Sequence, residues 1–450
     1  MYCLKRFFCF GEPVKKVIVL LFFIFSFDLH AKYNIVSDFT LNNGLRIVCI
    51  DKKELPIVCC SVFYKCGSIN ETPSKSGIAH FLEHMAFCGD NGAFSDFLEN
   101  AGAEDNAFTS FRTICFYEIV PINHLETVFK YESRRMEFMD INKEKFLSEK
   151  GAILEERSMR CDNIPQGQYL ESIDAALFNR MSGGIHPIGW RHEIESTEPQ
   201  DLIDFHDKWF APNNAVILIV GDINIAKIKS LAEKYFAKIK SKEIAKINDD
   251  AIKPKEIKKI ELKSSKIGTE AEVNYTYFVP FSVKDNFRKS MALFLVSQML
   301  NQPTSFAKKT LENSLNKATS ISFDYDYGAY QYDIFRVSIA CSSVDNLSEC
   351  EELWGYLKRK ILISGITQTE LETVKRQRAM SLAYRDQDIR TISEHIWWDM
   401  ASGFTLEQIQ SMDDVIQSIT LEECKEALNE VLKPQYIAVS RILPKEHDRD

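Results

Sequence analysis

Gly77-Ile78-Ala79-His80-Phe81-Leu82-Glu83-His84-Met85-Ala86-Phe87-Cys88-Gly89 is the stretch from which the rest of the chain can be read. Wound at about 100° per residue, Ile78, Leu82 and Met85 share one stripe of a helix, and His80, Glu83, His84 and Phe87 take the opposite side. Histidines at i and i+4 lie one turn apart on the same face, so both imidazoles can reach one metal ion. Glu83 stands beside them, where a carboxylate could take a proton from water activated by that metal. One face packs and the other carries chemistry. The plainer alternative is a buried helix whose histidines satisfy core hydrogen bonds. It suits a lone histidine better than two histidines and a glutamate gathered opposite an apolar stripe.

H-x-x-E-H is the inverted order of the zincin motif H-E-x-x-H. A catalytic zinc site asks for three protein ligands and one open position. A helix expected over Lys143–Arg160 offers Glu144, Glu149, Glu155 and Glu156. Glu149 and Glu156 are seven apart and lie within about 20° of each other, whereas Glu155 is turned away from Glu156 by about 100°. A surface helix with scattered glutamates has the same spacing, so periodicity alone leaves the third ligand open.

The N-terminus reads as a secretory leader rather than as part of the fold. Lys15-Lys16 precede the unbroken apolar run Val17–Phe27 and then Asp28-Leu29-His30-Ala31. That run is short for a membrane span. The expected location is therefore exported, periplasmic or otherwise extracytoplasmic, or membrane-tethered if the leader is retained. No other stretch approaches spanning length. Without residues 1–31 the chain carries 51 basic and 62 acidic residues, about −11, which suits nucleic-acid binding poorly. Ten cysteines remain, with no C-x-x-C and with Cys59-Cys60 adjacent. They read as small buried apolar residues rather than as a disulfide framework.

The remaining length suits two domains. Phe39–Leu41, Asn42-Asn43-Gly44 and Leu45–Ile50 read as strand, turn and strand, and Pro56–Tyr64 as a further strand. A short helix over Phe94–Gly102 and strands over Asp105–Phe111 and Ile114–Val120 follow. Then comes a helix capped by Asn123 with the stripe Leu125, Val128, Phe129, Met136 and Met139. Ala215–Val220 is a buried strand. Ser241–Lys259, rich in lysine, reads as a linker. Beyond it strands near Glu272–Phe278, Thr319–Asp326 and Asp333–Ile339 and helices near Asn286–Leu300, Val344–Lys360 and Thr369–Tyr384 repeat the pattern, and a strand near Tyr436–Ser440 ends it. The expected fold is α+β: two similar duplicated domains, each a mainly antiparallel sheet with helices packed on one face. The expected divisions are a leader (1–31), an N-terminal zinc-binding catalytic domain (35–240), a linker (241–259) and a C-terminal diverged repeat without ligands (260–445).

GIAHFLEHMAFCG (Gly77–Gly89) together with EKGAILEE (Glu149–Glu156) resembles the pitrilysin-type zinc peptidases, in their mitochondrial-processing-peptidase-like branch. Phe94–Pro121 resembles the family's helix, N-A-x-T strand and following strand. Asp201–Ile223 resembles its aromatic-x-P-N-N strand and V-G-D turn. The resemblance spans about residues 35–445, strongly in the first half and weakly in the second. It implies that His80, His84 and Glu156 bind one zinc ion per chain, that Glu83 is the general base, and that Glu149 supports the site by orienting a ligand or the water. It also implies that the strand holding Asn106, Ala107, Phe108 and Thr109 pairs with substrate backbone.

The chain departs from that pattern in places. The loop Cys88–Ala93 and the segment Gly183–Trp190 are contracted. Thr304–Lys308 lacks the family's arginine, and Thr319–Ser322 lacks its tyrosine. The resemblance thus implies a zinc-dependent endopeptidase acting on peptides or unfolded polypeptide inside an enclosed chamber. It would be the metal-bearing subunit of a dimer, either with a related partner subunit or with a second copy. Two other classes remain: a non-catalytic structural or assembly subunit, and an oligopeptide-binding protein.

Overall fold

The computed structural model describes residues 33–88, 92–139, 141–177, 186–245, 258–264, 270–314, 316–327, 333–433 and 438–444. The expected leader (1–31), most of the expected linker (246–257) and Gly183 to Ile185 lie outside them.

In the first half, β1 (Ile35–Thr40), β2 (Arg46–Asp51), β3 (Ile57–Tyr64), β4 (Glu104–Thr109), β5 (Ile114–Pro121) and β6 (Ala215–Gly221) form one sheet in the order β1-β2-β6-β3-β5-β4. β7 (Lys258–Ser264), β8 (Ala271–Phe278), β9 (Ala318–Asp326), β10 (Ile334–Cys341) and β11 (Ala438–Pro444) form the second sheet, in the order β7-β11-β8-β10-β9. Without β1, the first order maps strand for strand onto the second. In each sheet the last strand in sequence inserts beside the first of the mapped set as the single parallel pair, β2 with β6 and β7 with β11. All other pairs are antiparallel. The repeat expected from sequence is thus a repeat of topology.

The helices α1 (Ile78–Phe87), α2 (Ala93–Asn100), α3 (Leu125–Glu137), α4 (Lys143–Arg157), α5 (Pro165–Leu177), α6 (Arg191–Ser196), α7 (Pro199–Trp209) and α8 (Ile225–Phe236) belong to the first half. The second half has α9 (Phe287–Asn301), α10 (Phe306–Glu312), α11 (Leu347–Ser364), α12 (Gln368–Arg385), α13 (Ile389–Ala401), α14 (Leu406–Ser418) and α15 (Leu421–Leu432).

Side chains alternate across a strand, and β3 shows what each face of the first sheet meets. Val58, Cys60, Val62 and Tyr64 join the core built with the first half's own helices. Cys59 and Phe63 join the core of the second half, together with Val48, Ile50, Val216, Leu218 and Val220. The element on that far face is α13, which lies across β3 and β6 and ties to the sheet through Ser61 Oγ and Ser393 Oγ, 2.8 Å apart. A strand wet on one side would alternate with polar residues. IVCCSVFY runs almost unbroken because both of its sides are covered.

Three expectations need adjustment. Asn123 does not cap α3: a 3₁₀ turn over Ile122–His124 leads straight into the helix, so the residue before it is already helical, and Asn123 Nδ2 turns to His124 Nε2. Met139 lies beyond the end of α3 at Glu137. The glutamate helix is α-helical only to Arg157, then widens into a π turn over Ser158–Asp162, so Arg160 leaves the α-helical phase. In addition, β7 begins at Lys258, inside the stretch expected to be linker. The ten described cysteines are free thiols, nine of them buried.

Candidate metal centre

Helix α1 is held at its start by backbone fit rather than by a capping side chain of its own. Gly77 (φ +85°) and Gly189 (φ +80°) meet backbone to backbone, and a Cβ on Gly189 would stand 2.5 Å from Gly77 N. The first amides of the helix are satisfied from the preceding loop: Glu71 Oε2 accepts from Gly77 N at 3.1 Å and Oε1 from Ala79 N at 2.9 Å. Burial pushes the Glu71 carboxyl up to about 8 even though these two amide bonds pull it down. Arg157 forks onto Glu171 at 2.8 and 2.9 Å and donates to the carbonyl of Gly189, fixing the segment that Gly77 leans on.

The face of α1 opposite its apolar stripe is itself mostly covered: His80 is 7% and Glu83 8% exposed, because α1 packs against α4, α7, β4 and β5. On that face His80 Nε2 and His84 Nε2 approach the same oxygen, Glu156 Oε2, at 3.6 and 3.4 Å. One donor atom from each of the three residues lies within 4.8 Å of the others. Tetrahedral zinc with bonds of about 2.0–2.1 Å separates its donors by about 3.3–3.4 Å. The two imidazole–carboxylate distances therefore fit such an ion with little movement. Two imidazoles and one carboxylate are also a donor set used by catalytic zinc sites.

The supporting contacts divide the remaining atoms among the ligands. His84 Nδ1 meets Glu149 Oε2 at 3.1 Å, so the far nitrogen of this ring is held by a carboxylate. Glu149 Oε1 in turn accepts from the Cys88 thiol at 3.6 Å. Arg160 holds Glu156 Oε1 at 2.8 Å, leaving Oε2 to the histidines. Thr109 Oγ1 donates to Glu83 Oε2 at 2.6 Å.

These surroundings set the protonation of the site. Burial, with the neighbouring His84 adding to it, pushes His80 down to about 4. Burial also pulls His84 down, but its bonds to Glu156 and Glu149 outweigh that and hold it above the ordinary imidazole value. The bond to His84 keeps Glu156 below the usual carboxylate range. Burial raises Glu83 against the pull of the Thr109 hydroxyl.

All nine residues singled out from sequence, namely His80, Glu83, His84, Asn106, Ala107, Phe108, Thr109, Glu149 and Glu156, line one open cleft of about 600 Å³. Cys88, Arg160 and His186 also line it and were given no role from sequence. Arg160 sits at i+4 from Glu156, a spacing that could have signalled the pair. Cys88 follows His84 by four residues at the end of the same helix, so the same spacing could have signalled the thiol. The wall formed by β4 is the edge of the sheet. Its Ala107 amide is occupied by the neighbouring Asn106 Oδ1 at 2.8 Å. From β4, Ala107 joins the first half's core, while Phe108 packs on the second half, its ring stacked on Trp397 at 3.8 Å. Glu104 pairs with Arg390 of the same helix, α13.

The chain is similar to known proteins over both of its halves. The family model described as insulinase (peptidase family M16) matches residues 46–185, and the one described as peptidase M16 inactive domain matches residues 196–378. The chain is 29% identical over 347 residues to the zinc protease PqqE of Helicobacter pylori, covering 75% of this chain and 77% of that protein. The fold is similar to that of a crystallised protease from Helicobacter pylori, with a TM-score of 0.79 at 23% identity, covering 91% of this chain and 99% of that one. It is also similar to the first half of the periplasmic protease PqqL from Escherichia coli, with a TM-score of 0.73 at 19% identity, covering 92% of each.

Proposed function

Since the chain belongs to the pitrilysin-type, or M16, family of peptidases, we propose that it is a zinc-dependent endopeptidase that hydrolyses peptides or unfolded polypeptide segments. The observation that carries this reading is the convergence of His80, His84 and Glu156 on one point beside Glu83, in a cleft walled by a sheet edge. His80 and His84 would hold the ion through Nε2 and Glu156 through Oε2. Bound there, zinc would supply Lewis-acid polarisation of the scissile carbonyl and acidify water.

The chain's own residues do the rest. Glu83 takes the proton of the attacking water and passes it to the leaving amine, a task suited to a carboxyl whose pKa burial has raised. Glu149 acts on His84, fixing the ring by its Nδ1, rather than on the proton in flight. The substrate strand adds to β4 along Asn106–Thr109 and displaces the Asn106 side chain from the Ala107 amide. Backbone pairing of this kind favours extended, unfolded segments and makes few demands on side chains.

The described residues that line the cleft all come from the first half. Together with the arginine and tyrosine missing from the second half, this supports a dimer in which a related subunit completes the substrate contacts. Full peptidase activity of the isolated chain as a homodimer would rule out the heterodimer. Export through the 1–31 leader is part of the same proposal. Among the described residues no helix is long and apolar enough to cross a membrane.

The test of the whole reading is metal content and cleavage of an unfolded polypeptide by the wild type and Glu83→Gln. The expected result is zinc in both and turnover only in the wild type. Equal turnover in both would remove Glu83 from the mechanism.

A further inference from the structure

We propose that Thr109 is a positioning residue that ties the substrate-pairing edge of the sheet to the base, Glu83. This rests on the peptidase reading above. Thr109 is the last residue of β4, opposite Ile114 of β5, and its hydroxyl donates to Glu83 Oε2 at 2.6 Å. The alternation of the strand gives β4 two anchors of different kinds. On one face Glu104 pairs with Arg390 and Phe108 stacks on Trp397, fastening the strand to α13 of the second half. On the other face Thr109 reaches α1 and the base. The substrate-pairing strand is therefore clamped from behind while its end holds a catalytic side chain.

The hydrogen bond does two things for Glu83. A glutamate side chain has several rotamers, and a second anchor removes the cost of selecting the reactive one at each turnover. A hydroxyl has one proton to give, and it goes to Oε2. Oε1 has no hydrogen-bond partner among the described residues, so the bond also selects the oxygen that meets the water. Any shift of β4 on pairing with a peptide reaches the Glu83 carboxylate through this hydrogen bond, alongside the packing of α1 on β4. Strand addition and aiming of the base then become a single event, and a peptide that fails to pair leaves the base less well aimed.

The test uses the full zinc-loaded chain carrying Thr109→Val, which keeps the branched shape and loses the hydroxyl, and Thr109→Ser, which keeps the hydroxyl. With fluorescently labelled unfolded casein as probe, Thr109→Val should lower kcat on the order of 10–100-fold. Its KM and zinc content should stay at the wild-type values, and Thr109→Ser should recover most of kcat. An unchanged kcat in Thr109→Val, or a change confined to KM, overturns the proposal. A second arm does not depend on turnover. Crystal structures should show Glu83 in one position in wild type and Thr109→Ser and displaced in Thr109→Val, and an undisturbed Glu83 in Thr109→Val also overturns it. A wild type that binds zinc and cleaves nothing, both alone and with a related subunit present, would count against the peptidase reading, while the crystallographic arm still decides the role of Thr109.

Discussion

Replacing Glu149 by glutamine removes a charge from behind His84 while keeping an oxygen that can still accept from Nδ1. The carboxylate touches Nδ1 at 3.1 Å, so an ion on the other nitrogen of the ring would stand about 6–7 Å from it. Zinc together with the Glu156 carboxylate has one net positive charge. A unit pair at that range is worth about 0.6–2.8 kcal/mol for effective dielectrics between about 80 and 20. Both side chains are about a quarter exposed, 23% for His84 and 25% for Glu149, which favours the middle of that range, about 1–2 kcal/mol. That is a loss of roughly 5–30-fold in zinc affinity. Competition with a fluorescent chelator at fixed pH measures it directly, and Cys88→Ser separates the contribution of the thiol on the other oxygen. An affinity for Glu149→Gln within about twofold of wild type would refute the assignment of Glu149 to His84.

Two further predictions come from the same neighbourhood. His80 is already neutral near pH 6–7, whereas His84 is held protonated above its ordinary value, so zinc uptake has one imidazole proton to displace. Affinity should therefore climb about tenfold per pH unit until the pH passes the raised His84 pKa and then level off, with about one proton released, as calorimetry in buffers of different ionisation enthalpy would record. A pH-independent affinity between about 5.5 and 7 would contradict this. Gly189→Ala adds a Cβ 2.5 Å from Gly77 N at a φ of +80°. Left-handed strain of about 1–2 kcal/mol and overpacking of about 1–3 kcal/mol should together cost about 2–5 kcal/mol, read from urea denaturation of the full chain. An unchanged midpoint would show that the backbone relaxes there.

What was legible in the sequence was whatever repeats with a period. Alternation and apolar runs give β2 to β6 and only the end of β1, which the reading starts at Phe39 and the structure at Ile35, and the phase of α1 puts His80, Glu83 and His84 together. The seven-residue step from Glu149 to Glu156 survives because α4 stays α-helical across it. Helix phase could not distinguish a ligand from its support. That distinction depends on which oxygen faces which nitrogen, a matter of rotamers and neighbours such as Arg160 and Cys88. Nor could it foresee that the working face of α1 is nearly buried, because the covering residues arrive from α4, α7 and β4, distant in sequence. In the second half β9 and β10 alternate between buried and more exposed positions and are legible, whereas the sequence reading stops short of α13, α14 and α15 although each carries an apolar stripe.

The covering of the first sheet's far face bears on how such a chain can be divided. Val48, Ile50, Phe63, Val216, Leu218 and Val220 are buried only because the second half lies on them. A gene encoding only the repeat with the His80, His84 and Glu156 cluster would specify a sheet with a bare apolar face, which is an aggregation hazard rather than a smaller folded unit. The repeat without ligands is therefore free to lose chemistry but not contact. Among the described residues one repeat holds the three-donor cluster, and the other supplies the surface that covers its sheet.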